Sequence, residues 1–276
     1  MAASGAVRSA EHRVVAAGTL FAVLSCALFF NLLPHLGSRL YSDLGDPLLN
    51  ATILTWNAQH LPLSDAWWNF PTYAPYAGVT AWTEHLLGAY PLTTPIIWLT
   101  GNGILAYNIL LLACITLNGL CAFVLTLELL GSVAAAVVGG LAFAFAPFHA
   151  VHVSHVQTLM AFGMPLTLFG LHRYRRDGRW SSLAWAALGW ESALLSNAYT
   201  MVFFSVFVVA WCLWFLRDVP SRVRVRVVGL LVCGVVVLGP LLWGYHVRLS
   251  AYGFVDRKST RLNSSHTDIS RMPSSA

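Results

Sequence analysis

Apolar residues run along this chain in long, nearly unbroken stretches separated by short basic or polar breaks, a pattern unlike the one-sided stripe of a soluble surface helix. The stretches predict helices over Val14–Leu33, Ile104–Leu127, Val133–Phe148, Val156–Leu171, Trp180–Ser196, Tyr199–Leu216 and Val227–Gly244. Most approach the roughly 20 residues that a helix needs to cross a hydrocarbon core. The two that meet near Phe148 and Val156 are shorter, which places their ends in protein rather than in lipid. A further stretch, Leu86–Leu99, reaches only about 21 Å as a helix against a core of roughly 30 Å, so it reads as interfacial or re-entrant.

Arginine placement orients these spans, because positive residues stay on the cytoplasmic side. Arg8 and Arg13 precede the first span. Arg173, Arg175, Arg176 and Arg179 follow the fourth, and Arg217, Arg222, Arg224 and Arg226 join the sixth to the seventh. All three groups fall inside, with the N-terminus cytoplasmic, if seven helices cross. Counting Leu86–Leu99 as a crossing would put the Arg175 group outside. With 57% hydrophobic and only 10% charged residues, a soluble globular class is excluded. The expected fold is an all-α membrane protein of about seven transmembrane helices, with a long first extracytoplasmic loop, residues 35–103, that contains interfacial helices.

From Asp256 the character turns Ser-rich and polar, and Lys258 is the only lysine of the chain. Asp256–His266 back-translates into a common sequencing-library adapter, and Ser270–Ala276 continues it in a shifted frame, with Thr267–Ile269 in the place of an index. Residues 256–276 therefore read as a non-native, disordered tail, set aside from fold reasoning, and 1–255 as the N-terminal part of the transmembrane domain. The tail holds four of the 16 basic residues and two of the 11 acids, so without it the formal charge falls from +5 to +3 and no nucleic-acid patch remains. Cys26, Cys114, Cys121, Cys212 and Cys233 all lie in predicted spans, where thiols act as small hydrophobes, so neither a disulfide framework nor a cysteine zinc site is expected. The first span lacks a small-residue cleavage site after it and reads as an uncleaved anchor.

The reactive polar residues gather on the predicted outer side. Asp43 and Asp46 are three apart, so a helical turn would set both on one side, where a carboxylate serves as a general base or holds a divalent cation. Equally, Asp46-Pro47 is a favoured helix start, with Asp as N-cap. The aromatic residues of the loop, among them Trp56, Trp67, Trp68, Tyr73, Tyr76 and Trp82, suit packing at the headgroup level better than sugar stacking. Glu84-His85 could contact a headgroup or cap the interfacial helix. His149, His152 and His155 form an H-x-x-H-x-x-H run. On a helix its first and third members point about 240° apart, and Pro147 favours a loop, so phosphate or headgroup contact, or plain interfacial packing, outweighs zinc. Glu191 is a carboxylate inside a span, a functional candidate by default or a neutral partner of a neighbouring helix. Asn50-Ala51-Thr52 matches a glycosylation acceptor, relevant only to a eukaryotic secretory route.

With the residues laid out this way, the chain resembles the GT-C superfamily of multi-span glycosyltransferases, which use lipid-phosphate-linked sugars as donors. The resemblance covers about Val14–Val255: a first span, an acidic pair directly after it, a long outer loop with interfacial helices, then closely spaced spans. The stretches Tyr41–Asn50, Thr83–Pro91 and Leu141–Leu159 look like a little-studied bacterial branch with no assigned substrate. By position, the superfamily's acidic residue, a catalytic base or metal ligand, maps to Asp46, with Asp43 next. The resemblance implies attack by an acceptor hydroxyl on the anomeric carbon, with polyprenyl phosphate leaving, in a bacterial inner membrane. The departing phosphate needs positive charge or a metal nearby, so a divalent cation on Asp43 and Asp46 is the one cofactor considered. Arg39, Arg248 and protonated histidines are the outer cations available. By their own placement, the candidate substrate contacts are Arg39, Glu84, His85, His149, His152, His155 and Glu191. Trp67-Trp68 resembles the WWD motif of oligosaccharyltransferases, but Asn69 replaces the acid and the region is wrong, so that likeness is discarded. Later spans and any C-terminal outer domain would lie beyond Val255, and the fragment alone is expected to be inactive.

A transporter or lipid flippase is the main rival, with Glu191 on its side. Such proteins show internal repeats and interrupted helices meeting at the midplane, and the sequence contains no repeat. A non-catalytic scaffold is the third reading. It predicts that replacing Asp46 leaves function intact.

Overall fold

The computed structural model describes residues 2–251 apart from Ala74, with side chains from Glu11 onward; the adapter-like residues 256–276 lie outside the described part. Among the described residues every regular element is helical. The α-helices are α1 (Ala2–Leu28), α2 (Asp46–Gln59), α3 (Asp65–Trp68), α4 (Tyr90–Thr100), α5 (Gly103–Leu130), α6 (Val133–Ala144), α7 (Pro147–Val151), α8 (Val156–Leu159), α9 (Gly163–Asp177), α10 (Trp180–Leu194), α11 (Ala198–Phe215), α12 (Ser221–Val237) and α13 (Gly239–Ala251), with short 3-10 turns between α1 and α4. Five segments are long and apolar enough to cross a membrane: Glu11–Leu28, Gly103–Leu130, Val133–Val151, Ala198–Phe215 and Ser221–Ala251. The chain is a helical, multi-pass membrane protein. α9 and α10, at 15 residues each, span only about 22 Å.

Three expected helices have different bounds. Val156–Leu171 is not one helix: α8 stops at Leu159 and α9 begins at Gly163, because Pro165 has no N–H to give to Ala161 and fits only the first turn of a new helix. Val133–Phe148 ends at Ala144, since Pro147 drives Ala146 to an extended ψ of 141° before α7 starts. Leu86–Leu99 becomes a 3-10 turn at Leu87–Ala89 followed by α4, because Leu86 sits in the left-handed region at φ 49°.

α5, about 42 Å long, is the hub against which α1, α2, α4, α6 and α9 pack. Asn102 caps its start by accepting from Leu105 N at 2.9 Å, and Gly131, at φ 65°, closes its end and turns the chain straight into α6. The ring of Phe21 on α1, fully buried, fills a notch that exists only because Gly119 of α5 and Gly140 of α6 carry no Cβ. α9 and α10 form a tight hairpin through Gly178, with Asp177 accepting from Arg179 N and Ser182 Oγ to start α10. Their backbones approach at Gly163, Gly170 and Gly189, where an added Cβ would strike the facing backbone at Ala193, Ala186 and Thr167.

Contacts at the helix ends sort the molecule into two poles. At one, Arg176 pairs with Glu128 of α5 at 2.6 Å, Arg226 of α12 reaches Tyr174 of α9 at 3.3 Å, and Arg175 lies over Phe215 of α11. At the other, Asn108 of α5 donates to the carbonyls of Leu36 and Arg39, Gly88 N donates to Leu195 O, and Asn197 Nδ2 donates to Gln157 O. The two arginine-bearing turns, after α9 and after α11, are thus separated by the length of the bundle from the acid and histidine segments.

Trp67 and Trp68 are packed inside the protein rather than on its surface. Both are buried, Trp67 donating from Nε1 to Asn57 Oδ1 at 2.7 Å and Trp68 lying beneath the Arg248 guanidinium at 4.4 Å. Local composition calls for aromatic rings in this loop, but the packing of α13 over the segment is what buries them. Asn57 also donates to His85 O at 2.8 Å. Asn57→Ala would leave the Trp67 N–H and the His85 carbonyl without partners in a dry site. A loss of about 3 kcal/mol is expected, read as a drop in thermal midpoint in detergent. An unchanged midpoint would show that water replaces the amide.

Candidate functional site

The first polar turn after α1 is held by Asp43. Its Oδ1 accepts from Gly45 N at 2.7 Å, and its Oδ2 accepts from Ser154 Oγ at 2.8 Å and Ser42 Oγ at 3.3 Å. The Ser154 hydroxyl, the Gly45 amide and the Ser42 hydroxyl hold the carboxyl below its ordinary range. Asp43 therefore ties the start of α2 to the turn between α7 and α8, and it precedes the helix rather than sharing a helical face with Asp46. The capping expectation for Asp46 is one residue out: Gly45 is the N-cap and Asp46 is the first helical residue, with no side-chain cap. Freed from capping, Asp46 places Oδ2 2.8 Å from His155 Nε2. That contact engages Oδ2 alone, and the side chain is half-exposed.

The histidine run is not a single helical face. His149 lies within α7, which ends at Val151, and the chain then turns through His152 to His155. His149 is buried and gives its Nδ1 proton to Ala144 O at 3.1 Å. His152 gives its Nδ1 proton to Phe148 O at 2.8 Å while its ring stacks on Phe148. Both therefore keep Nε2 uncommitted to these bonds, a lone pair when neutral and a donor only when protonated. His85 is the reverse case. Its Nδ1 accepts from Leu87 N at 3.1 Å, so the neutral ring carries its proton on Nε2.

Two adjoining cavities join these residues. One, about 440 Å³, is lined by Asp46, Glu84, His85, Gln157, Tyr73 and Tyr245, among others. The second, about 810 Å³, is lined by Glu84, His149, His152, His155, Gln157 and Asn197, among others. Glu84 and Gln157 belong to both, and burial pushes the Glu84 carboxyl upward. Glu84 and His85 precede α4 by several residues, so they line a cavity rather than cap that helix. The larger cavity continues through Phe143 and Met164 into an apolar groove of about 480 Å³ walled by α5, α6, α9 and α11.

Sequence reasoning missed the polar residues that build this wall. Gln157 takes a hydrogen bond from Asn50 at 3.2 Å on its side chain and from Asn197 at 2.7 Å on its carbonyl, and Asn118 donates to Leu159 O at 2.9 Å. Three asparagines from distant helices thus pin the short α8. The signal for Gln157 was present, as a lone amide in an apolar stretch. Asn50, nearly fully buried and committed to Gln157, is no glycosylation acceptor in the folded chain.

Other expected residues lie elsewhere. Arg248 spends its guanidinium on Asp65, at 3.1 Å, and on the Trp68 ring, so it lines neither cavity. Arg39 is exposed and holds a carbonyl contact to Asn108 only through its backbone. Glu191 is on α10 against Gly234 of α12, with Oε2 buried and without a hydrogen-bond partner. Among the described residues no group of three or more His, Cys, Asp or Glu side chains converges to hold a metal. Asp43 accepts three hydrogen bonds, and Asp46 gives one of its oxygens to His155.

Burial lowers the His85 pKa from 6.5 to about 4, so the ring stays neutral in the folded protein. The unfolded chain binds that proton first. Stability from His85 is therefore complete above about pH 6.5 and is lost as pH falls toward 4, by roughly 3 kcal/mol in all. The thermal midpoint should fall across that window in wild type and flatten in His85→Gln; parallel curves would assign the acid sensitivity to another group. Compared with protein-family models, with curated proteins and with solved structures, the chain matches none.

Proposed function

We propose that this chain belongs to a GT-C-like membrane glycosyltransferase that moves a sugar from a polyprenyl-phosphate carrier to an extracytoplasmic acceptor. The observation that carries the reading is the junction of the two cavities, where Asp46, His155, Glu84 and His85 meet beside a groove suited to a hydrocarbon chain. In this reading the arginine pole is cytoplasmic in a bacterial inner membrane. The segment 35–103 is then the outer loop, and the short α9 and α10 also cross where the bilayer thins, giving seven spans.

Asp46 Oδ1 takes the proton of the acceptor hydroxyl as its oxygen bonds to the anomeric carbon, and His155 fixes the carboxylate by holding Oδ2. The bond from the anomeric carbon to phosphate oxygen breaks, and polyprenyl phosphate leaves with the electron pair. His85 Nε2–H, and His149 and His152 when protonated, are the donors available to its oxygens. Arg248 has no part in this step.

The flippase reading retains one observation, the unpartnered Glu191 carboxyl within α10. Protein expressed from the full-length gene of the same source and reconstituted with labelled polyprenyl-phosphate sugars separates the two. Sugar appearing on an acceptor supports the transferase. Donor crossing the bilayer with no transfer overturns it.

A further inference from the structure

The arginine pole is a second polar surface, remote from the cavities. Arg173, Arg175, Arg176 and Arg179 meet Arg217, Arg222, Arg224 and Arg226 there, against the carboxylates of Glu128, Asp177 and Asp218. Asp177 is occupied in starting α10, and Glu128 is taken by Arg176. Several guanidinium groups lie over aromatic rings: Arg226 over Trp180 at 4.5 Å, Arg217 over Trp214 at 5.3 Å and Arg175 over Phe215 at 5.7 Å. Arg224 clips the Leu216 and Arg217 carbonyls at 3.1 and 2.9 Å, fixing the turn.

Trp180 and Trp214 are 65% and 67% exposed at the ends of apolar helices, the position that indole rings take at a bilayer's headgroup level. Arg222 stands one turn before Arg226 on the same face of α12, and Arg179 directly precedes Trp180. Arg179 and Arg222 are thus near neighbours along the chain of the two members of the Arg226–Trp180 stack, one on each side of the contact between α10 and α12. Arg179 and Arg222 are both exposed; among the described residues neither guanidinium makes a hydrogen bond, and Arg179 lies within electrostatic reach of the Asp177 carboxylate. A planar guanidinium fork binds phosphate oxygens in pairs, and here the neighbouring groups are already ordered.

We infer that this pole is a binding surface for anionic phospholipid headgroups, with a phosphodiester docked beside Trp180 against Arg179 and Arg222. The inference is independent of the chemistry at the other pole. It is tested on the full chain in neutral detergent, with thermal unfolding followed as phosphatidylglycerol or phosphatidylcholine is added in mixed micelles. A saturable rise in midpoint is expected with phosphatidylglycerol, weakened by added salt, and none with phosphatidylcholine.

The double variant Arg179→Gln/Arg222→Gln should need roughly 10- to 30-fold more phosphatidylglycerol for half the effect, its midpoint without lipid unchanged. Arg222→Glu alone provides the same test should the double variant fold poorly. Equal responses to the two lipids, or a variant that titrates as wild type, would overturn the proposal. So would the same rise with inorganic phosphate, which would make the site one for a soluble anion.

Discussion

Asp46→Asn is expected to lower the rate of sugar transfer by 10² to 10⁴-fold, the usual contribution of a positioned general base, with little change in folding. Asparagine keeps the shape of the side chain and an oxygen for His155 Nε2, so the turn and both cavities persist. What is lost is the basic Oδ1. Asp43→Asn provides the contrast: its carboxylate is engaged by Gly45, Ser154 and Ser42, so this change should loosen the α2 start and cost less activity. Single-turnover transfer from labelled donor, measured with circular dichroism on the same samples, separates the two. Asp46→Asn turning over within ten-fold of wild type would remove Asp46 as the base. Abolished activity in Asp43→Asn with an intact fold would move the role to its neighbour.

Gly170→Val should abolish folding, or nearly so. A Cβ there lands on the backbone nitrogen of Ala186 and within 2.6 Å of its Cα, atoms that cannot rotate away as a side-chain tip can. The α9–α10 pair would have to separate, at a cost of about 4 kcal/mol or more. Gly229 on α12 has open space around the same position, so Gly229→Val should be near neutral. Yield of monodisperse protein and thermal midpoint compare the two directly. Equal behaviour would mean that α9 and α10 do not pack this closely in the bilayer. The consequence reaches the site, since Gly163 and Ala193 of this hairpin lie close to Gln157 and Asn197 in sequence, which line the larger cavity.

The helical class and the long spans were legible because a bilayer obliges each crossing segment to be a continuous apolar helix, as at Gly103–Leu130. Helix breaks were legible only where proline forced them. Pro147 marked the loop that carries the histidines but not the end of α6 at Ala144, and the effect of Pro165 needed the fold, because proline is tolerated in a first turn and the sequence did not say where that turn was. Asp46, Glu84, His85 and the histidines stood out as polar residues in apolar surroundings, and the fold brings them to one place. Their partners did not stand out. Ser154 lies 111 residues from Asp43, and Gln157 lies 107 from Asn50, and no local pattern encodes such pairings. Arg248 was misplaced for the same reason, since its commitment to Trp68 and Asp65 crosses about 180 residues of chain. The pairing of Trp67 with Asn57 was equally invisible to composition.

The Phe21 notch has a bearing on how the protein is made. Its two glycine walls, Gly119 and Gly140, are synthesised after the ring that fills them. At roughly 5–20 residues per second, Gly140 leaves the ribosome about 6–24 s after Phe21. During that interval the first helix waits in the lipid with its docking surface uncovered.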